Sequence, residues 1–299
     1  MYTFRYNPVV EAWVLLGEPR PKTQEIKPAH LVDPQTEANF LVANLPLSPF
    51  VLDPDQNGGF KGVPSERVVT NSSLLFPEQA PVGEYELLLY QGQKGFYDFG
   101  PKEWEEWMLL VVNRVWAFHK NPHLHYLGLR LHTSALLSLG GQYLRVGDLI
   151  CTKERLIGLG HTLEAQLAHK LRQKEDRLGI HYPGVATVYA NSAPTQIQEL
   201  WLLPEHLHPN FDSLDGRGRK GIAKLLSKLM PLLHQEMPQS EWVIELHSAM
   251  SGMEPTSTWW IQIFEEPAGN QNVPNSYLAL KPLPEAFWQK LKHKLPQTI

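Results

Sequence analysis

Apolar positions change their period several times along the chain, and each change marks an element. "EAWVLLG" is a strand-like run ended by Gly17 and Pro19, and "ERVVTNSS" and "YELLLYQG" are two more, rich in Val, Leu and Tyr. Residues 28–65 lie between the first two runs and read as loop, with turn signals at Pro54-Asp55 and Asn57-Gly58-Gly59. The period then lengthens. Trp104, Trp107, Met108, Val111, Val115 and Phe118 recur at three- and four-residue spacing, and Pro101 stands at a helix-starting position. This predicts a long amphipathic helix over 101–120, stopped by Asn121-Pro122. "HLHYLGLRLHTSALLSLGGQYLRVGDLI" returns to alternation, broken at Gly140-Gly141.

The second half repeats this order in outline. A helix is expected within "ERLIGLGHTLEAQLAHKLRQKE", strands in "GVATVYANS" and "QELWLLPE", and a helix in "KGIAKLLSKLMPLLHQEM". "WVIELHSAM" and "TWWIQIFEEP" read as strands and "PEAFWQKLKHKL" as a closing helix. The expected fold class is α+β: two halves, 1–155 and 156–299, each an antiparallel sheet packed with helices, with internal duplication. Within the last strand, alternation places Thr258, Trp260 and Gln262 on one face.

Composition narrows the function. The chain has 299 residues, 42% hydrophobic and 19% charged, which suits a globular protein with room for two cores. Its 27 Lys and Arg are dispersed and outnumbered by 31 Asp and Glu, so a nucleic-acid partner is not expected. The single cysteine, Cys151, allows neither an internal disulfide nor a Cys-rich zinc site. No window reaches the length of a membrane span, and the opening "MYTFRYNPVVEAW" lacks a signal-peptide core. The cytoplasm is the expected location.

Candidate chemical groups are dispersed. His119, His123, His125 and His132 cluster in "HKNPHLHYLGLRLH", and His123 and His125 could share a strand face toward a metal; an exposed helix end and strand start is the favoured reading. His161, His169, His181, His206, His208, His234 and His247 are scattered. The glycines of "DSLDGRGRKGIAKLL" precede a helix, and with Arg217, Arg219 and Lys220 they could meet an anion, although a basic loop capping a helix accounts for them. No P-loop, H-E-x-x-H or G-x-G-x-x-G pattern occurs.

Together these elements resemble the galactose-1-phosphate uridylyltransferase family of the histidine-triad superfamily. "FRYNPVVEAWVLLGEPR" is similar to the family's R-x-N-P-x-x-x-x-W-V-L-x-x-x-x-R, with Arg5, Asn7, Pro8, Trp13 and Arg20 in place. "RVVTNSSLLFPE" is similar to V-x-N-x-F-P, and "ELWLLPEHLHPNFDSL" to W-x-L-P-x-x-H-x-x-x-F-x-x-L. The resemblance covers nearly the whole chain. It implies a nucleotidyl-transferring ancestor, with Arg20, Asn71 and Gln142 at positions near the nucleotide.

The chemistry of that family is missing. Where relatives carry H-P-H-x-Q, whose second histidine attacks the α-phosphorus, this chain has "SALLSLGGQ": Gln142 matches the glutamine, while Leu139 and Gly141 fall where histidines belong. "SPFV" at 48–51 lacks the zinc-binding C-x-x-C of many members, and Leu207 stands at a further histidine position beside His206. The last strand shows Thr258, Trp260 and Gln262 in place of a His-rich pattern, so it presents no group titrating near neutrality and no good metal ligand. The expectation is a pseudoenzyme that needs no cofactor and acts through a protein partner. The alternatives are a nucleotide or nucleotide-sugar sensor using Arg20, Asn71 and Gln142, or an enzyme with another base such as His132 or His206.

Overall fold

The computed structural model describes residues 3–7, 12–16, 47–54, 60–71, 83–91, 95–118, 126–132, 138–139, 143–152, 163–164, 178–206, 208, 210–249, 257–266, 283–296 and 298–299. In chain order the elements are β1 Thr3–Asn7, β2 Ala12–Leu16, β3 Leu47–Pro54, β4 Phe60–Asn71, β5 Gly83–Gln91, α1 Pro101–Phe118, β6 Tyr126–His132, β7 Ser138–Leu139 and β8 Tyr143–Thr152. These are followed by β9 Leu163–Glu164, β10 Gly179–Tyr182, β11 Ala186–Ala190, β12 Ile197–Pro204, α2 Gly216–Glu236, β13 Glu241–Ala249, β14 Ser257–Thr258, β15 Trp260–Glu266 and α3 Pro284–Lys292.

One antiparallel sheet runs in the order β10-β11-β12-β15-β13-β6-β8-β5-β4-β3. Reading outward from the central β13–β6 pair, each flank uses the same chain order: three strands, a helix, then two strands. On one side these are β3, β4, β5, α1, β6 and β8; on the other, β10, β11, β12, α2, β13 and β15. The α+β architecture expected from the sequence is therefore the one the chain adopts.

Packing follows the periods read from the sequence. Trp104, Trp107, Met108, Val111 and Val115 of α1 and Ile222, Leu225, Leu226, Leu229, Met230 and Leu233 of α2 enter one core with the inward positions of the strands. Those positions include Leu200 and Leu202 of β12, Ile244 and Leu246 of β13, and Ile261 and Ile263 of β15. Trp288 of α3 is buried as well, while Trp116 at the end of α1 is half-buried. The alternate strand positions are also buried: Tyr189, Trp201, Val243, Trp260 and Phe264, with Thr187, Glu199, Glu245, His247 and Gln262. This flank thus buries both sheet faces, one apolar against helices and one mixed polar and aromatic.

Three departures from the sequence pattern have local causes. Leu47–Pro54 is a strand rather than loop, paired with β4 around the predicted turn at 55–59; its two prolines mask the strand signal. β1 and β10 are short strands without a clear run of their own, defined by pairing with β2 and β11. α2 begins at Gly216, four residues before the helix read from the sequence at Lys220, because Asp215 caps it by accepting from the Gly218 amide at 2.7 Å. Of residues 154–175, where the sequence leads one to expect a helix, Leu163–Glu164 form the strand β9, paired with β14, and the others lie outside the described residues. No helix among the described residues is long and apolar enough to cross a membrane.

Candidate functional site

The polar face opposite the helices is organised by an irregularity in β12. Pairing with β15 shifts register between Ile197 and Leu200, and Gln198 in that gap has φ 51°, the left-handed region. The bulge sets Glu199 and Trp201 on the face away from the helices, while Leu200 and Leu202 point to the core. Glu199 is 1% exposed and is met by five donors. Asn191 Nδ2 (2.8 Å) and Trp201 Nε1 donate to Oε1. The Thr195 amide (2.6 Å), Thr195 Oγ1 (2.9 Å) and the Gln196 amide (2.8 Å) donate to Oε2. Burial pushes this carboxyl above its ordinary value against the pull of these hydrogen bonds. With five donors on two oxygens, Glu199 has no lone pair left for a metal or substrate.

Beside it, aromatic rings fill the face. Trp201 and Trp260 lie 4.8 Å apart between centroids, and the His247 ring stacks on Trp260 at 4.4 Å and 17°. Tyr189 extends the series at 6.1 Å from Trp201. Gln262 donates to Thr195 Oγ1 at 3.4 Å. One row crosses four strands by direct pairing: Trp201, Gln262, Glu245 and Arg130. Arg130 Nε donates to Glu245 Oε1 at 2.5 Å, and His247 Nε2 lies 3.5 Å from Glu245 Oε2.

Trp260 and Gln262 share this face, as alternation predicts. Thr258 lies in β14, which pairs with β9, and its hydroxyl donates to the Trp259 carbonyl at 3.3 Å. Between β14 and β15, the Trp259 amide donates to the His208 carbonyl at 2.8 Å and its ring packs in the core against Phe211. The last strand itself brings no imidazole to this face, but the adjacent strand β13 does, through His247. Its signal was visible, since Glu245 and His247 are polar at i and i+2 around Leu246, directly after the apolar run Trp242–Ile244. The histidine is only 2% exposed and covered by the Trp260 indole.

Arg20, Gly141 and Gln142 lie outside the described residues, as do His123 and His125. Asn71 ends β4, paired with Glu86; only its backbone is described. His206 and His208 are exposed, and His132 pairs with Val243 at the end of β6. Arg5 reaches from β1 to the Ser192 carbonyl (3.0 Å) and to Glu285 (2.6 Å), and Leu16 of β2 is buried with Ala193. The opening hairpin is thereby fastened to the loop that Glu199 organises. At the start of α2, the Asp215 carboxylate occupies the place an anion would take, which removes the phosphate reading of that loop. Among the described residues no three His, Cys, Asp or Glu side chains converge as a metal-binding group.

This architecture is shared with solved structures of a uridylyltransferase and of a galT-like protein. The chain superposes on an ADP-glucose phosphorylase from Arabidopsis thaliana, solved with bound ADP-glucose, at TM-score 0.69 and 14% identity over 98% of this chain and 99% of that one. A galT-like protein from Arabidopsis thaliana matches at TM-score 0.68 and 14% identity, with the same coverage. A uridylyltransferase matches at TM-score 0.57 and 10% identity over 99% of this chain and 98% of that one. At these identities the likeness establishes the fold. No family model and no curated protein matches the sequence.

Proposed function

We propose that this chain is a catalytically inactive protein on the uridylyltransferase-like fold that acts by binding another protein in the cytoplasm. One observation supports the reading: the Trp201–Trp260–His247 stack fills the face where the family resemblance leads one to expect histidines, beside a glutamate that accepts five hydrogen bonds. An imidazole stacked under an indole at 2% exposure cannot reach a phosphorus atom. The sequence also holds no histidine between His132 and His161, the stretch where the nucleophile of relatives belongs. Losing an activated nucleophile removes about 4 to 8 kcal/mol of barrier lowering at ~1.36 kcal/mol per decade of rate.

The deciding experiment is intact-mass analysis after incubation with UDP-glucose and ADP-glucose. Unchanged mass is expected; a nucleotidyl phosphoramidate adduct overturns the proposal. A second reading, a nucleotide sensor using Arg20, Asn71 and Gln142, is favoured by the likeness to a protein solved with ADP-glucose. Calorimetry separates the two: heat of binding at micromolar nucleotide selects the sensor.

A further inference from the structure

The solvent side of α2 carries a line of cations. Arg217, Lys220, Lys224 and Lys228 are all exposed. At i, i+3, i+7 and i+11 they fall within about 80° of arc and along roughly 16 Å of helix axis. None of the four makes an ion pair among the described residues. The helix holds five Lys and Arg against one acidic residue, Glu236, which is already paired with Lys294. The whole chain is at −4, so this helix stands against the sign of the rest.

The line does nothing for the helix itself. Its first turn contains no acidic residue, so Arg217 and Lys220 face the positive end of the helix dipole. Lys220, Lys224 and Lys228 repeat like charges at i+4 spacing, which is repulsive. α2 is held instead by its apolar side, from Ile222 to Leu233. A self-repelling row kept in a straight line is complementary to a row of opposite sign.

We propose that this stripe docks an acidic helical segment of a partner protein, one presenting carboxylates at three- and four-residue spacing. The inference deepens the protein-binding reading above and rests on it, by naming the chemistry of the partner. The length favours such a segment: about three helical turns match the row, whereas a longer polyanion runs past it onto a net acidic chain. A bilayer is disfavoured because the stripe has no large apolar side chain to insert; among the described residues the exposed one is Leu283, outside this helix.

The test is fluorescence anisotropy of the full chain with a labelled Glu-rich helical peptide, its Gln counterpart, a DNA oligonucleotide, and phosphatidylserine–phosphatidylcholine vesicles. The acidic peptide is expected to bind in a salt-dependent manner, and a K220E/K224E/K228E variant is expected to lose about tenfold or more in affinity. A K290E/K292E variant on α3 binds like the native chain. Equal loss in both variants, no preference over the Gln peptide, or tighter binding of oligonucleotide or vesicle overturns the proposal. A nucleotidyl adduct defeats the inactive-enzyme reading and leaves this titration standing; a failed titration in adduct-free protein removes the stripe alone.

Discussion

Arg130 and Glu245 face each other across the β6–β13 pair that joins the two flanks of the sheet, and each is the fifth residue of its strand. β6 follows α1 as β13 follows α2, so two equivalent positions of the repeated order meet with opposite charge. Burial pushes the Glu245 carboxyl upward. The Arg130 guanidinium and His247 outweigh that, and its pKa falls from 4.5 to about 2.

The depressed value fixes a pH dependence. The folded state holds Glu245 ionised while the unfolded chain protonates it near 4.5, so its contribution is present above that pH and lost as pH falls toward 2. Glu245→Gln is expected to lower stability by about 2 kcal/mol at neutral pH, discounted because the Arg130 side chain can turn to water. Denaturant unfolding of both proteins at several pH values checks this. The gap between them should close between pH 4.5 and 2; a gap independent of pH removes the assignment.

Glu199 accepts five hydrogen bonds, so its removal leaves several buried donors without an acceptor. Glu199→Ala is expected to cost about 3 kcal/mol or more. Because the 191–196 loop also receives Arg5 and Leu16, hydrogen exchange should rise in β1 and β2 together with the loop. Exchange confined to β12 shows that Glu199 does not hold the hairpin.

Gly221 lets α2 approach the turn between β10 and β11: a Cβ there would sit 2.6 Å from Val185 Cγ2. Gly221→Ala is therefore expected to destabilise by about 1–3 kcal/mol despite the better helix propensity of alanine. Thermal unfolding measures it. A stabilised variant would mean that the turn yields.

Much of the fold was legible because burial imposes a period. The six apolar positions from Trp104 to Phe118 predicted α1 to within two residues of its end, and the alternation of "WVIELHSAM" predicted β13. β3 was not, since Pro49 and Pro54 read as turn while cross-strand pairing with β4 holds them extended. The site was half legible. Alternation put Trp260 and Gln262 on one face, but strand order is a long-range property, and only the β13–β15 neighbourhood brings His247 onto Trp260. Thr258 falls in β14, separated from β15 by one residue, and the pairing of β14 with β9 is likewise long-range.

The bulge that presents Glu199 carries a local cost that can be removed. Gln198 is the single non-glycine residue with positive φ among those described, and its Oε1 is buried without a hydrogen-bond partner among the described residues. A side chain in the left-handed region costs about 1–2 kcal/mol, and glycine avoids it while losing about 0.5–1 kcal/mol of chain entropy. Deleting the unpaired amide oxygen adds to the gain. Gln198→Gly is therefore expected to stabilise by about 1 kcal/mol, and Gln198→Val, whose β-branch resists positive φ, to destabilise by at least as much. Denaturant unfolding of both variants decides the matter: if glycine lowers stability, the amide makes a contact that outweighs the backbone strain, and the bulge is held by Gln198 itself.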